Sequence, residues 1–144
     1  MPKTEWNPLM PVDTIVESPS ISVRYVAGDS SKPINEQAPQ VVDELEAGMP
    51  SLQGSKFFGV VVDGEYRACV RRDSMVDTEM SNLATFDIPA GRYVHRRLID
   101  WDHDVGLLVQ AVEELVSRPD FDPTRYVIEH YRSHTEVVIR VPVT

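Results

Sequence analysis

Phe57-Phe58-Gly59-Val60-Val61-Val62-Asp63-Gly64-Glu65-Tyr66-Arg67-Ala68-Cys69-Val70-Arg71-Arg72 consists of two β-rich runs around one turn dipeptide. Asp63-Gly64 tolerates the positive φ that closes a tight hairpin, so 57–62 and 66–72 are expected to pair antiparallel. Upstream, Thr14-Ile15-Val16 and Ile21 to Val26 are also β-rich, and Ser18-Pro19-Ser20 between them predicts one interrupted strand. Ile34, Ala38, Val41 and Leu45 then recur at helical spacing. Pro39 would clash inside a helix, so the helix is expected to begin at Pro39 and end at Ala47, stopped by Gly48 and Pro50.

Downstream of the hairpin the plan recurs. Ala84 to Ile88 and Arg92 to Ile99 are β-like around Pro89-Ala90-Gly91, and Val105, Leu108, Val109, Val112, Leu115 and Val116 form an apolar helical stripe ending before Pro119. Tyr126 to Tyr131 and Glu136 to Val143 predict a closing hairpin. Gln40 to Leu45 aligns with Gln110 to Leu115 at an offset of 70, and Arg24-Tyr25-Val26 with Arg92-Tyr93-Val94 at 68. Strand, helix, hairpin in each half predicts an α+β fold: two pseudo-twofold-related β-α-β-β units, about 12–74 and 84–143, with antiparallel sheets. Each unit leaves a sheet face uncovered, so the two would bury each other and leave a central ligand cleft at the seam.

A chain of 144 residues, 42% of them hydrophobic, is one ordinary domain with enough apolar material for a core. Pro2, Pro8 and Pro11 make 1–11 a loose leader ahead of a single domain over 12–144. Fourteen basic residues against 23 acidic ones give a net charge of -9, shared as -3 over 1–72 and -6 over 73–144. That balance disfavours nucleic acid as a partner, which needs a basic footprint. A lone cysteine excludes an internal disulfide framework and fits a reducing compartment. No secretory signal opens the chain and no run of about 18 apolar residues occurs, so the expectation is a cytoplasmic protein with no membrane partner.

Motifs for serine hydrolases, nucleotide hydrolases and dinucleotide oxidoreductases are missing, and no cofactor is expected. His130 and His134 have a spacing that binds metal on a helix, but they bracket Arg132-Ser133 in a turn, so no metal site is assigned. Cys69 sits between Ala68 and Val70 in a strand and reads as an inert buried thiol. Glu129 stands out. Alternation along Tyr126 to Tyr131 puts it on one face with Val127 and Tyr131, aiming a carboxylate along an apolar, aromatic surface. It either pairs with an arginine such as Arg97 or Arg125, reaches solvent at a sheet edge, or floors a pocket for an organic cation. The same group could serve as a general base. Tyr25, Phe57, Phe58, Tyr93, Trp101 and Tyr131 are candidate walls, each also explicable as core.

The order Phe58 to Asp63, Phe86 to Val94, a helix, Ile128-Glu129-His130-Tyr131 and Val138 to Val143 resembles the GyrI-like, or bacterial transcription-activator effector-binding, domain family over residues 12–143. The resemblance implies a central cleft and a small hydrophobic or cationic ligand, as in multidrug-binding members linked to transcription regulation. It implies that Glu129 is the buried acid, Tyr131 its companion and Trp101 a cleft residue, with Tyr25 and Phe58 added from the residue reading as ligand contacts. The family glycine near the second helix is not evident in Asp100 to Asp104, although Gly106 follows. A stand-alone sensor or sequestering protein is the favoured reading. Two alternatives stay open: a hydrolase of reactive cyclopropane-bearing genotoxins with Glu129 as catalytic base, positioned by Tyr131 or Trp101, and an inhibitor of a protein partner such as gyrase.

Overall fold

The Asp63-Gly64 turn forms as its residue types require, both residues adopting left-handed φ angles of 51° and 82°. It joins β3 (Phe57–Val62) to β4 (Glu65–Arg71), paired antiparallel from Phe57↔Val70 to Val62↔Glu65. The computed structural model describes residues 13–49 and 55–144; the expected leader over 1–11 and the stop at Pro50 lie outside them. The remaining elements are β1 (Asp13–Ser18), β2 (Ile21–Ala27), α1 (Ile34–Ala47), α2 (Ser74–Glu79), β5 (Ala84–Ile88), β6 (Gly91–Ile99), α3 (Gly106–Val116), β7 (Ile128–Tyr131) and β8 (Glu136–Pro142). A single 3₁₀ turn, Trp101–His103, precedes α3.

The fold is α+β. Its strands form one continuous antiparallel sheet in the order β1-β6-β8-β7-β3-β4-β2-β5, not the separate sheets expected for two units. The expected interrupted strand is also corrected: β1 pairs with β6 at one edge, whereas β2 pairs with β4 and β5 near the other. Pro19 removes a donor between them, and the chain turns away there to serve two distant partners. The sheet curls, so that Pro89-Ala90 suffices to link edge strand β5 to β6, and the Tyr93 hydroxyl donates back to the Pro89 carbonyl at 2.5 Å.

Both long helices cover the same sheet face. On α1, Val41 and Leu45 pack on Tyr66, Ala68 and Val70; on α3, Leu108, Ala111 and Leu115 pack on Val94, Val137, Ile139 and Val141. Arg96, buried beneath α3, clamps that side by bonding Asp13 of β1 at 2.7 Å and Glu114 of α3 at 2.5 Å. The opposite face lies inside the curl, where Val23, Phe58, Val60, Cys69, Ile88, Tyr93 and Ile128 form a separate core. No helix among the described residues is long and apolar enough to cross a membrane.

Helix α1 begins five residues earlier than expected and carries Pro39 inside it. Proline there forfeits one early bond, to the carbonyl of Asn35, and the lost bond is offset by Gln37. The buried Gln37 amide donates to Lys32 O at 2.7 Å and Gly64 O at 2.9 Å and accepts from Tyr66 N at 2.8 Å, tying the helix start to the β3–β4 hairpin. Helix α2 was not expected from periodicity. It is one and a half turns long, capped by Asp73, whose carboxylate accepts from Val76 N at 2.8 Å. The expected closing strand from Tyr126 begins at Ile128 instead.

Candidate functional site

Helix α1 packs on β4 and β2, and α3 on β8 and β6, so the central strands β3 and β7 floor a cleft between them. The cleft has a volume of about 500 Å³. Pro39, Val42 and Leu45 of α1 form one wall, Trp101 and Tyr131 supply aromatic surface, Phe57 and Tyr66 lie along the floor, and Ser133 and His134 stand at its polar end.

At the middle of the floor, Gly59 of β3 pairs directly with Glu129 of β7. A Cβ on Gly59 would collide with the Tyr66 hydroxyl and sit 3.0 Å from Glu129 Oε1, so this strand glycine is the space into which both side chains fit. Glu129 Oε1 accepts from the Tyr131 hydroxyl at 2.5 Å and from the Tyr66 hydroxyl at 3.0 Å, and the two hydroxyls are 3.2 Å apart. The tyrosines, rather than the carboxylate, meet the cleft, and Glu129 lies directly behind them.

Burial raises the Glu129 pKa above the usual carboxylate range, and the two phenol hydrogen bonds partly oppose that shift. Burial together with the carboxylate's negative charge pushes both tyrosine hydroxyls well above their ordinary range, so they remain donors. When the carboxyl is ionised, the result is a negative charge solvated by neutral donors beneath an aromatic cleft. A cation above it would gain from the unneutralised charge and from ring faces. Trp101 lies 5.9 Å from Tyr131 between ring centroids, and its indole N–H is buried without a hydrogen-bond partner. That donor is available to a ligand acceptor.

Of the residues singled out from sequence, Glu129, Tyr131, Trp101 and Phe57 come together here. Arg97 bonds Glu136 at 2.7 Å and Arg125 bonds Asp122 at 3.0 Å, so neither is the partner of Glu129. Tyr25 lies on the other sheet face, edge-on to Phe86 at 5.1 Å with the Arg67 guanidinium over its ring. Phe58 borders the cleft through its strand, but its ring points into the curl and stacks on His130 at 4.7 Å. Tyr93 also faces the curl, and Cys69 is fully buried there with its thiol pushed up by burial. Sequence reading missed Tyr66 and Gly59. A glycine inside the apolar run Phe57 to Val62 was the available signal, because it marks a place where another group approaches the strand.

No protein-family model matches the chain, and no curated protein matches it in sequence. Solved structures match it in fold. An integron cassette protein from the mobile metagenome of Vibrio cholerae superposes with a TM-score of 0.70 at 18% identity, covering 92% of this chain and 95% of that one. SAV2435, solved bound to tetraphenylphosphonium, gives 0.60 at 12% identity over 92% of this chain and 94% of its own. A Staphylococcus aureus MU50 protein assigned provisionally to bacterial transcription regulation gives 0.55 at 11% identity, covering 94% and 98%. At such identities the likeness is one of fold.

Proposed function

We propose that this chain binds a lipophilic aromatic cation in the cleft between α1 and α3, with Glu129 as the counter-charge, and acts as a sensor or sequestering protein. The observation that carries this reading is a buried carboxylate held by two phenols and, among the described residues, by no cation, at the floor of an aromatic cleft. A purely structural carboxylate would be expected to have a cationic partner. Its position recurs in the fold's arrangement. Exchanging the first four strands for the last four leaves the strand order unchanged when read from the other end. The pair Gly59↔Glu129 is separated by the same 70 residues that relate the two helices. This supports a pseudo-twofold of two units whose axis passes between Gly59 and Glu129, within a single domain over 12–144. SAV2435 shares the fold and was solved with a cation of this class, which supports the choice of probe.

The test is a titration of tetraphenylphosphonium and of uncharged triphenylphosphine oxide, followed by tryptophan fluorescence, against the native chain and Glu129→Gln. Glutamine keeps the shape and removes the charge. The cation is expected to lose about 1–3 kcal/mol of binding while the neutral compound changes little. A bound cation lowers the raised carboxyl pKa, so cation affinity weakens as pH falls through the Glu129 pKa of the empty protein. Equal affinities of both compounds for both proteins would overturn the proposal.

A further inference from the structure

The inside of the curl holds a second cavity, of about 520 Å³, on the sheet face opposite Glu129. Its lining is basic in a chain whose net charge is -9. Lys56, Arg71, Arg72 and Arg140 contribute four cations, of which Arg72 is paired with Asp77 at 2.9 Å; His95 and His130 add two imidazoles, and among the described residues the one carboxylate in the lining is that of Glu17, which is exposed.

Arg140 is the centre of this cavity. It is paired across strands with His95 of β6 and Ile128 of β7, and no carboxylate lies in salt-bridge range of it among the described residues. Its Nη2 donates to His130 Nδ1 at 2.9 Å. A guanidinium has no acceptor, so Nδ1 carries the lone pair and His130 is neutral. Arg140 Nε is buried with no hydrogen-bond partner, and so is Nε2 of the neighbouring His95. Two buried polar atoms with no partner on adjacent strands are costly to leave, unless an acceptor arrives between them. Arg96, the arginine buried in the sheet, is by contrast satisfied by two carboxylates and lines neither cavity.

We propose that this cavity binds a small oxyanion, a carboxylate or a phosphate-like group. Arg140 holds it, His95 donates at its back, and Lys56 and Arg71 draw it in at the mouth. Arginine suits the task because its planar edge meets two oxygens at once. The site is separate from the cation cleft, so either proposal can fail while the other holds.

The experiment records amide spectra and thermal midpoints of the full chain with sodium sulfate, sodium phosphate or sodium succinate, ionic strength being held constant with sodium chloride. Saturable shifts centred on His95, His130 and Arg140, with a rise in the midpoint, are expected. Tighter binding of succinate than of sulfate and phosphate assigns the site to an organic acid; the reverse assigns it to a free inorganic oxyanion. Arg140→Gln should weaken binding at least tenfold and Arg140→Lys should recover part of that loss. If Arg140→Gln does not fold, His95→Gln is read in the same titration, with a loss of several-fold expected. Shifts that grow linearly and are matched by chloride, or unchanged affinity in whichever variant folds, overturn the proposal.

Discussion

The two faces of one sheet hold opposite charges and treat them alike. Glu129 on the helix-covered face is held by two phenols, and Arg140 inside the curl by one imidazole. Arg96, in the same sheet, is instead neutralised by Asp13 and Glu114, which join β1, β6 and α3. The difference separates two uses of a buried charge. An ion pair closes on itself and fastens elements together, whereas a charge held by neutral groups keeps most of its field for something else.

That contrast is easiest to break at Gly59. Gly59→Ala drives a methyl into the Tyr66 hydroxyl, and the rigid ring can escape only by leaving Glu129. The expected loss is about 1–3 kcal/mol of stability together with tetraphenylphosphonium binding, read by urea unfolding and titration. A Gly59→Ala protein with native stability and affinity would show that the packing of the floor is not what positions the carboxylate.

Next in size is the comparison of the two arginines. Arg96→Gln leaves Asp13 and Glu114 facing each other without a cation and is expected to cost about 1–3 kcal/mol. Arg140→Gln removes a cation that has no counter-ion and is expected to stay within about 0.5 kcal/mol of native. Urea unfolding of both decides it, and equal losses would remove the distinction drawn here.

Glu129→Gln should move stability in the other direction. A carboxyl whose folded pKa is raised contributes stability that is fully present below its unfolded pKa and lost as pH rises through the folded value. The glutamine protein should therefore gain on the native one as pH rises from 4 to 8, seen as a widening gap in thermal midpoint. A constant gap would mean that the carboxylate is not penalised in the empty protein.

The smallest effect belongs to the histidines. Burial, then the charge of Arg140, lowers both His95 and His130 to about 4; Arg132 and Lys56 add to this at His130. Tyr93 lies near Arg140, and Glu136 near His130. Depressed histidines contribute stability that is present above their unfolded pKa of about 6.5 and lost as pH falls toward 4. His95→Gln should flatten this part of the acid limb, and sulfate should do so in the native protein by favouring the charged rings. An unchanged slope in the variant would place the acid transition elsewhere.

The hairpin at Asp63-Gly64, the apolar stripe of α3 and the face of Glu129 were legible because each depends on a local pattern: a turn dipeptide, a period of 3.6 and a period of 2. Pairing partners were not. Nothing within Asp13 to Ser18 specifies that β6 is its neighbour, so one interrupted strand was expected where two strands diverge. Local propensity also misjudged Pro39, whose cost is met by Gln37 through bonds to residues as far away as Tyr66. The same limit applies to the site. Glu129 and Tyr131 share a strand and could be read together, whereas Tyr66 reaches them from two strands away across a glycine. Aromatic residues such as Tyr25 and Phe58 could not be assigned to a face until the register was known.

The edge strands carry a consequence for how the chain folds. Strand β1 precedes β2 yet completes the far edge beside β6, and β5 precedes β6 yet completes the edge beside β2. Each half of the chain thus lends its first strand to the other. Asp13 finds Arg96 across 83 residues, a loop closure that nothing local can reward in advance. Folding should therefore be slow for the chain's size and unfolding all-or-none, with neither half persisting alone. A chain cut between β4 and β5 should regain structure only when the two fragments are mixed, each completing the other's outer edge.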